Sequence, residues 1–166
     1  YLKLEKKYRY IIKNDMVDDL KEQKRSNKVW ICWFQGYDQA PELVKCTISS
    51  VKKHMPDRDI IILTDKNIYQ YAKLPKSIIA KRKAGKISAA HFSDLLRVEL
   101  LCRYGGIWID ATVLCTSDNI PSYITETDLF VYKSLKLGGK NLAPTICSSW
   151  LIAAKSNNPI LLLTRK

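Results

Sequence analysis

Two aspartates and one arginine offer this chain's clearest chemistry. Asp94 and Arg97 stand three residues apart, the spacing that brings two side chains onto one helical face, and Asp110 follows just beyond a double glycine. Converging carboxylate and guanidinium groups can orient a polar ligand and stabilise charge that develops on a leaving group. A carboxylate backed by phosphate oxygens and water can also hold a hard divalent ion. The same residues have plainer readings: a surface ion pair contributing about 0.2–0.5 kcal/mol for Asp94 and Arg97, and a turn cap for Asp110.

The elements that must position these groups are readable from periodicity. Ser88 is an N-cap, and Ala89, Phe92, Leu95, Leu96, Leu100 and Leu101 recur at helical spacing up to Tyr104. Gly105 is the expected stop, because the residue past a helix often needs positive φ. Ile107, Trp108 and Ile109 form a continuous apolar run, as in a strand buried on both faces, and deliver Asp110 to its carboxyl end, where open α/β sheets bind ligands. Upstream, residues 29–34 (VWICWF) and 59–65 (DIIILTD) read as buried strands. They flank a helix whose stripe is Leu43, Val44, Thr47, Ile48 and Val51 and which Pro56 ends, a unit that builds parallel sheets. Asp65 then lies at a strand's carboxyl end, a candidate for ribose or base contact or else a helix cap near Asn67. Pro75 splits two short helical pieces between 68 and 86, strands are expected at 128–133 and 146–154, and Asn158 with Pro159 opens a further helix. Gly138 and Gly139 read as a loop.

Residues 87–116 resemble the sugar-nucleotide-binding core of the capsular polysaccharide synthesis proteins, a core similar to those of the initiating-mannosyltransferase-like enzymes and the glucosylating clostridial toxins. Ser93, Asp94, Leu95, Leu96 and Arg97, then Tyr104, Gly105, Gly106, Ile107, Trp108, Ile109 and Asp110 carry the likeness, and the wording Trp-Ile-Asp-Ala-Thr is nearest the capsular branch. A weaker likeness runs from about Val29 to the C-terminus. The resemblance implies a glycosyltransferase A-type, Rossmann-like fold, a mostly parallel sheet flanked by helices, with the catalytic domain over 29–166; residues 1–28 read separately as a basic amphipathic helical segment ahead of it. It also implies a retaining hexosyltransferase that moves a hexose from a UDP-sugar to a glycan or lipid-linked oligosaccharide acceptor in bacterial capsular polysaccharide synthesis. Asp94, Arg97 and Asp110 would be catalytic. Trp33, Phe34, Gln35, Asp65 and Gly106 would join them around the donor, with Trp33 or Phe34 stacking on the base. Mn²⁺ or Mg²⁺ would sit on Asp110. Where the wider superfamily has a second aspartate this chain has Thr112, a neutral and poorer ligand, so metal binding is expected to be weakened. A catalytically inactive sugar-nucleotide or glycan binder is the alternative.

Composition narrows the partners. The 166 residues are 46% hydrophobic and 27% charged, ordinary for a globular domain, with 28 Lys and Arg against 16 Asp and Glu for a net charge of +12. Such a field favours anionic partners: a nucleotide diphosphate, an anionic membrane surface or nucleic acid. Zinc-finger spacing and the RNA-binding signatures are missing, which disfavours nucleic acid. Residues 1–28 combine nine basic side chains with Leu2, Tyr8, Ile11, Ile12, Met16, Val17 and Leu20 at helical spacing, as in an amphipathic helix that lies on a bilayer or packs on its own domain. No run of about eighteen apolar residues is present. The five dispersed cysteines fit reduced core thiols rather than a disulfide framework or zinc site. A cytoplasmic protein, peripheral at the inner face of the membrane, is the resulting expectation. A chain that opens at Tyr1 and stops at Lys166 within a predicted helix also reads as an excerpt of a longer enzyme, its C-terminal part missing.

Overall fold

The computed structural model describes residues 22–134 and 145–166. The amphipathic reading of residues 1–21 and the Gly138–Gly139 loop lie outside the described residues. Residues 22–27 form neither helix nor strand, so the helical segment expected up to residue 28 does not include them. This stretch is tied to the body of the protein: Lys24 N–H donates to Ser156 Oγ at 3.1 Å and Lys24 O accepts from Ser156 N–H at 2.9 Å.

Five strands form one open sheet in the order β2-β1-β3-β5-β4, with β1 at Lys28–Cys32, β2 at Asp59–Leu63, β3 at Gly106–Ile109, β4 at Leu129–Ser134 and β5 at Thr145–Ala154. β1 pairs in parallel with β2 and β3, whereas β5 runs antiparallel to both β3 and β4. The sheet is therefore mixed, which corrects the expectation of a mostly parallel one. A parallel partner needs a crossover of about a dozen residues or more. The ten residues between β4 and β5 are too few for one, so those strands pair antiparallel.

Alternation along the two central strands builds two apolar layers. Val29, Ile31, Ile107 and Ile109 face helix α1 (Glu42–His54), which presents Val44, Ile48 and Val51. Trp30 and Trp108 face the other way, toward Phe92, Leu96, Leu100 and Leu101 of the long helix α4 (Ala89–Tyr104). Two short helices, α2 (Ile68–Tyr71) and α3 (Lys76–Lys83), precede α4, and α5 (Ser122–Thr125) and α6 (Pro159–Arg165) follow it. Helix α4 begins where predicted, its Ser88 Oγ accepting from the His91 N–H, and ends at Gly105 with φ +68°. The periodic reading misassigned part of its face. Leu95 is exposed, while Arg97 and Glu99 are buried.

The double glycine is a packing device. A Cβ on Gly106, at φ +101°, would lie 2.4 Å from the Lys28 carbonyl oxygen, and one on Gly105 would lie 2.7 Å from the Ser156 nitrogen. The Gly105 carbonyl also accepts the buried Trp30 indole N–H at 2.9 Å. The turn thus lets α4 hand the chain to β3 in close contact with β1.

Candidate active site

Parallel pairing of β2, β1 and β3 places their carboxyl ends at one edge of the sheet, and a cleft of about 370 Å³ opens there beside the first half of α4. Cys32 and Trp33 reach it from β1, Ser93, Asp94 and Arg97 from α4, Asp110 and Thr112 from the end of β3, and Ser149 from β5. Asp94, Arg97 and Asp110, far apart in sequence terms only for the last of them, converge. Arg97 Nη2 lies 3.0 Å from Asp94 Oδ1 and 3.4 Å from Asp110 Oδ1.

The surface-pair reading of Asp94 and Arg97 fails on burial, because Arg97 is 5% exposed. Its guanidinium stands over the Trp108 ring at 5.0 Å and donates to the Ser149 carbonyl and, at 3.4 Å, to Ser93 Oγ. A register shift makes the Ser149 contact available. Val131 pairs with Ile152 but Tyr132 with Ser148, so residues 149–151 oppose none on β4. The Trp150 carbonyl from this bulge accepts the Asp110 N–H at 2.8 Å. The Asp110 side chain continues the alternation set by Trp108, whose indole Nε1 donates to Asp110 Oδ1 at 2.7 Å. One guanidinium between two carboxylates leaves a formal charge of −1 in the cleft, although the whole chain is strongly basic.

The other sequence candidates separate. Trp33 lines the cleft, and its indole N–H and Arg97 Nε–H are buried donors that have no acceptor among the described residues. Phe34 instead packs against Phe92 at 5.9 Å under the Arg82 guanidinium, 4.6 Å from its ring centroid. Gln35 is exposed in the turn that the Gly36 N–H closes on the Trp33 carbonyl. Asp65 faces Arg82 at 3.7 Å, one strand away from the cleft. Gly106 sits at the opposite end of β3 from Asp110, against Lys28. Trp108, read from the sequence as part of an apolar run, contacts both Arg97 and Asp110. The spacing of Trp108 and Asp110, two apart on a strand, was the signal that could have found it.

The metal question turns on the donor set. Among the described residues no group of three or more His, Cys, Asp or Glu is arranged around a common point. Asp110 Oδ1 is already engaged by Trp108 and Arg97, while Oδ2 receives neither, and Thr112 adds a neutral hydroxyl on the rim. This set cannot cage an ion, but one carboxylate oxygen suits an ion that keeps its waters and arrives on a diphosphate.

All five cysteines are free thiols. Cys102 is buried and Cys32 and Cys115 are half-buried, but Cys46 and Cys147 are exposed, so the core-thiol reading holds for only part of the set. Burial, reinforced by the Asp65 carboxylate, pushes the Cys32 thiol up to about 12 despite the opposing Arg82 and Arg97 charges. Burial likewise raises Cys102 to about 11. Both groups hold a proton in the folded state that the unfolded chain releases above its ordinary value of 9.0. Stability from this source is therefore complete below pH 9 and lost as pH rises toward 11–12. Urea unfolding should show midpoints that fall steadily above pH 9, and iodoacetamide at pH 8 should label Cys46 and Cys147 well before Cys32 and Cys102. Rapid labelling of Cys32 in the folded protein would contradict this.

A family model described as capsular polysaccharide synthesis protein matches residues 1–166. An O-glycosyltransferase braB of Annulohypoxylon truncatum is 33% identical over 92 residues, a stretch that makes up 50% of this chain and 22% of that protein. The match therefore spans about a fifth of that relative's length.

Proposed function

The chain belongs to the capsular polysaccharide synthesis family, and from that premise we propose that it is a glycosyltransferase that moves a hexose from a UDP-sugar to a glycan or lipid-linked oligosaccharide. The observation that carries the reading is the convergence of Asp94, Arg97 and Asp110 on one cleft at the carboxyl edge of three strands. Glycosyl transfer needs the donor sugar's hydroxyls held and the departing diphosphate's charge stabilised while the anomeric carbon meets an acceptor hydroxyl. The Asp94 and Asp110 carboxylates accept from hydroxyls, and Arg97 supplies a fixed positive charge between them. Trp33, half-buried on the cleft wall, would stack on the base. A Mg²⁺ or Mn²⁺ bound with the donor would rest on Asp110 Oδ2 and neutralise leaving-group charge. A glycosyltransferase A-type arrangement and retention of configuration belong to this proposal. So does a cytoplasmic position at an anionic membrane surface, the setting in which a basic chain meets lipid-linked substrates. Among the described residues no helix is long and apolar enough to cross a membrane.

A thermal-shift series with UDP-glucose, UDP-galactose, UDP and GDP-mannose, each with and without Mn²⁺, tests the donor class. At one hundred times the dissociation constant a specific ligand adds about 2.7 kcal/mol, on the order of 5–10 °C for a domain of this size. Stabilisation by uridine compounds over the guanosine one is the expected result. No shift with any of them would remove the donor assignment. Stabilisation without transfer or hydrolysis would favour a non-catalytic binder, in keeping with Thr112.

A further inference from the structure

We propose that Trp108 is a positioning residue: its indole fixes where Asp110 and Arg97 present their opposite charges to the cleft. The proposal builds on the donor reading above and assigns a role to a residue that composition and periodicity place in the core. Trp108 borders the cleft but is 1% exposed, so its main contacts are with protein groups. It touches both partners, donating from Nε1 to Asp110 Oδ1 at 2.7 Å while the Arg97 guanidinium stands 5.0 Å from its ring centroid.

Backbone geometry alone does not place the Asp110 carboxylate. The bond from its N–H to Trp150 O holds the main chain, but the side chain is 35% exposed and that bond does not fix its rotation. With a guanidinium beside it, an aspartate tends toward a two-oxygen fork. That fork would commit both oxygens of Asp110 to Arg97. The indole N–H claims Oδ1 instead, and Arg97 approaches that same oxygen at 3.4 Å, which leaves Oδ2 for the cleft. The electron-rich indole face meanwhile gives the Arg97 cation a flat seat that keeps it between Asp94 and Asp110. Phenylalanine at this position would keep a ring under Arg97 and lose the N–H, so Trp108→Phe separates the two contributions.

The test is a double-mutant cycle on UDP-hexose binding with wild type, Trp108→Phe, Asp110→Ala and the double variant. A hydrogen bond to a charged group predicts a weakening of about tenfold for Trp108→Phe in the wild-type background. The same change should have less than about twofold effect once Asp110 is alanine, because its route of action is gone. Equal effects in the two backgrounds would mean a packing role and overturn the proposal. A second measurement needs neither ligand nor a Trp108 variant that folds. The Trp108 indole N–H resonance of the wild-type protein should be shifted downfield and protected from exchange, and Asp110→Ala should abolish both features. A resonance unmoved by that substitution overturns the proposal even if every nucleotide binds. Absence of any UDP-hexose binding to wild type would instead refute the donor reading, with the resonance still deciding the role of Trp108.

Discussion

Asp110→Ala is expected to lower sugar transfer by about 10²-fold or more while the protein stays folded. Asp110 is the one carboxylate in the cleft that is fixed from three sides: its N–H bonds the Trp150 carbonyl, and its Oδ1 receives Trp108 and faces Arg97. On the proposed function, its alanine replacement would remove the carboxylate oxygen offered to the donor and to any ion the donor brings. The structural cost is smaller. The Trp108 indole N–H is left buried without an acceptor, a loss of about 1–3 kcal/mol, and Arg97 keeps Asp94 at 3.0 Å. Melting should fall by roughly 2–10 °C, and the donor-dependent rise in melting temperature should shrink or vanish. Turnover close to wild type would exclude Asp110 from the reaction. Loss of folding together with activity would make the carboxylate chiefly structural.

Gly106→Ala is expected to be the most damaging single methyl in the described chain. A side chain there would have to occupy φ +101° and place its Cβ 2.4 Å from the Lys28 carbonyl oxygen, a backbone atom that cannot rotate away. Relief requires β1 and β3 to separate where Val29 pairs with Ile107 and Trp30 with Trp108. Backbone strain and overpacking each cost about 1–3 kcal/mol, so a loss of roughly 3–5 kcal/mol is expected from a total of about 5–15 kcal/mol. Urea denaturation measures it directly. Because the same separation would pull Asp110 out of line, donor binding should fall as well, although Gly106 does not line the cleft. A Gly106→Ala protein of unchanged stability would show that the chain reshapes this turn cheaply.

Local chemistry made much of this readable in advance. Ser88 and Gly105 bound α4 because a hydroxyl satisfies a free N–H at one end and glycine tolerates positive φ at the other. The run of Ile107, Trp108 and Ile109 is buried on both faces of a central strand, as its unbroken hydrophobicity implied. Asn158 caps α6 with Pro159 at its first position. Sheet direction was less accessible. The parallel pairing of β1 and β2 follows from the helix between them, and the short link after β4 makes β4 and β5 antiparallel, but nothing local in residues 129–154 signals that β5 inserts between β3 and β4.

Residue types and spacing therefore determined the elements, the glycine turn and the carboxylate at a strand's end, since each depends on neighbours within a few positions. Tertiary structure alone decided that Arg97 is buried, that Trp33 rather than Phe34 faces the cleft, and that Ser149 and Trp150 brace the site from an antiparallel strand. It also decided that an apparently ordinary core tryptophan links the acid to the base. The physical reason is that a guanidinium three residues from an aspartate looks the same on any helix. Whether it lies in water or over an indole depends on which strand packs beneath it, and that strand's position is set by contacts across the whole sheet.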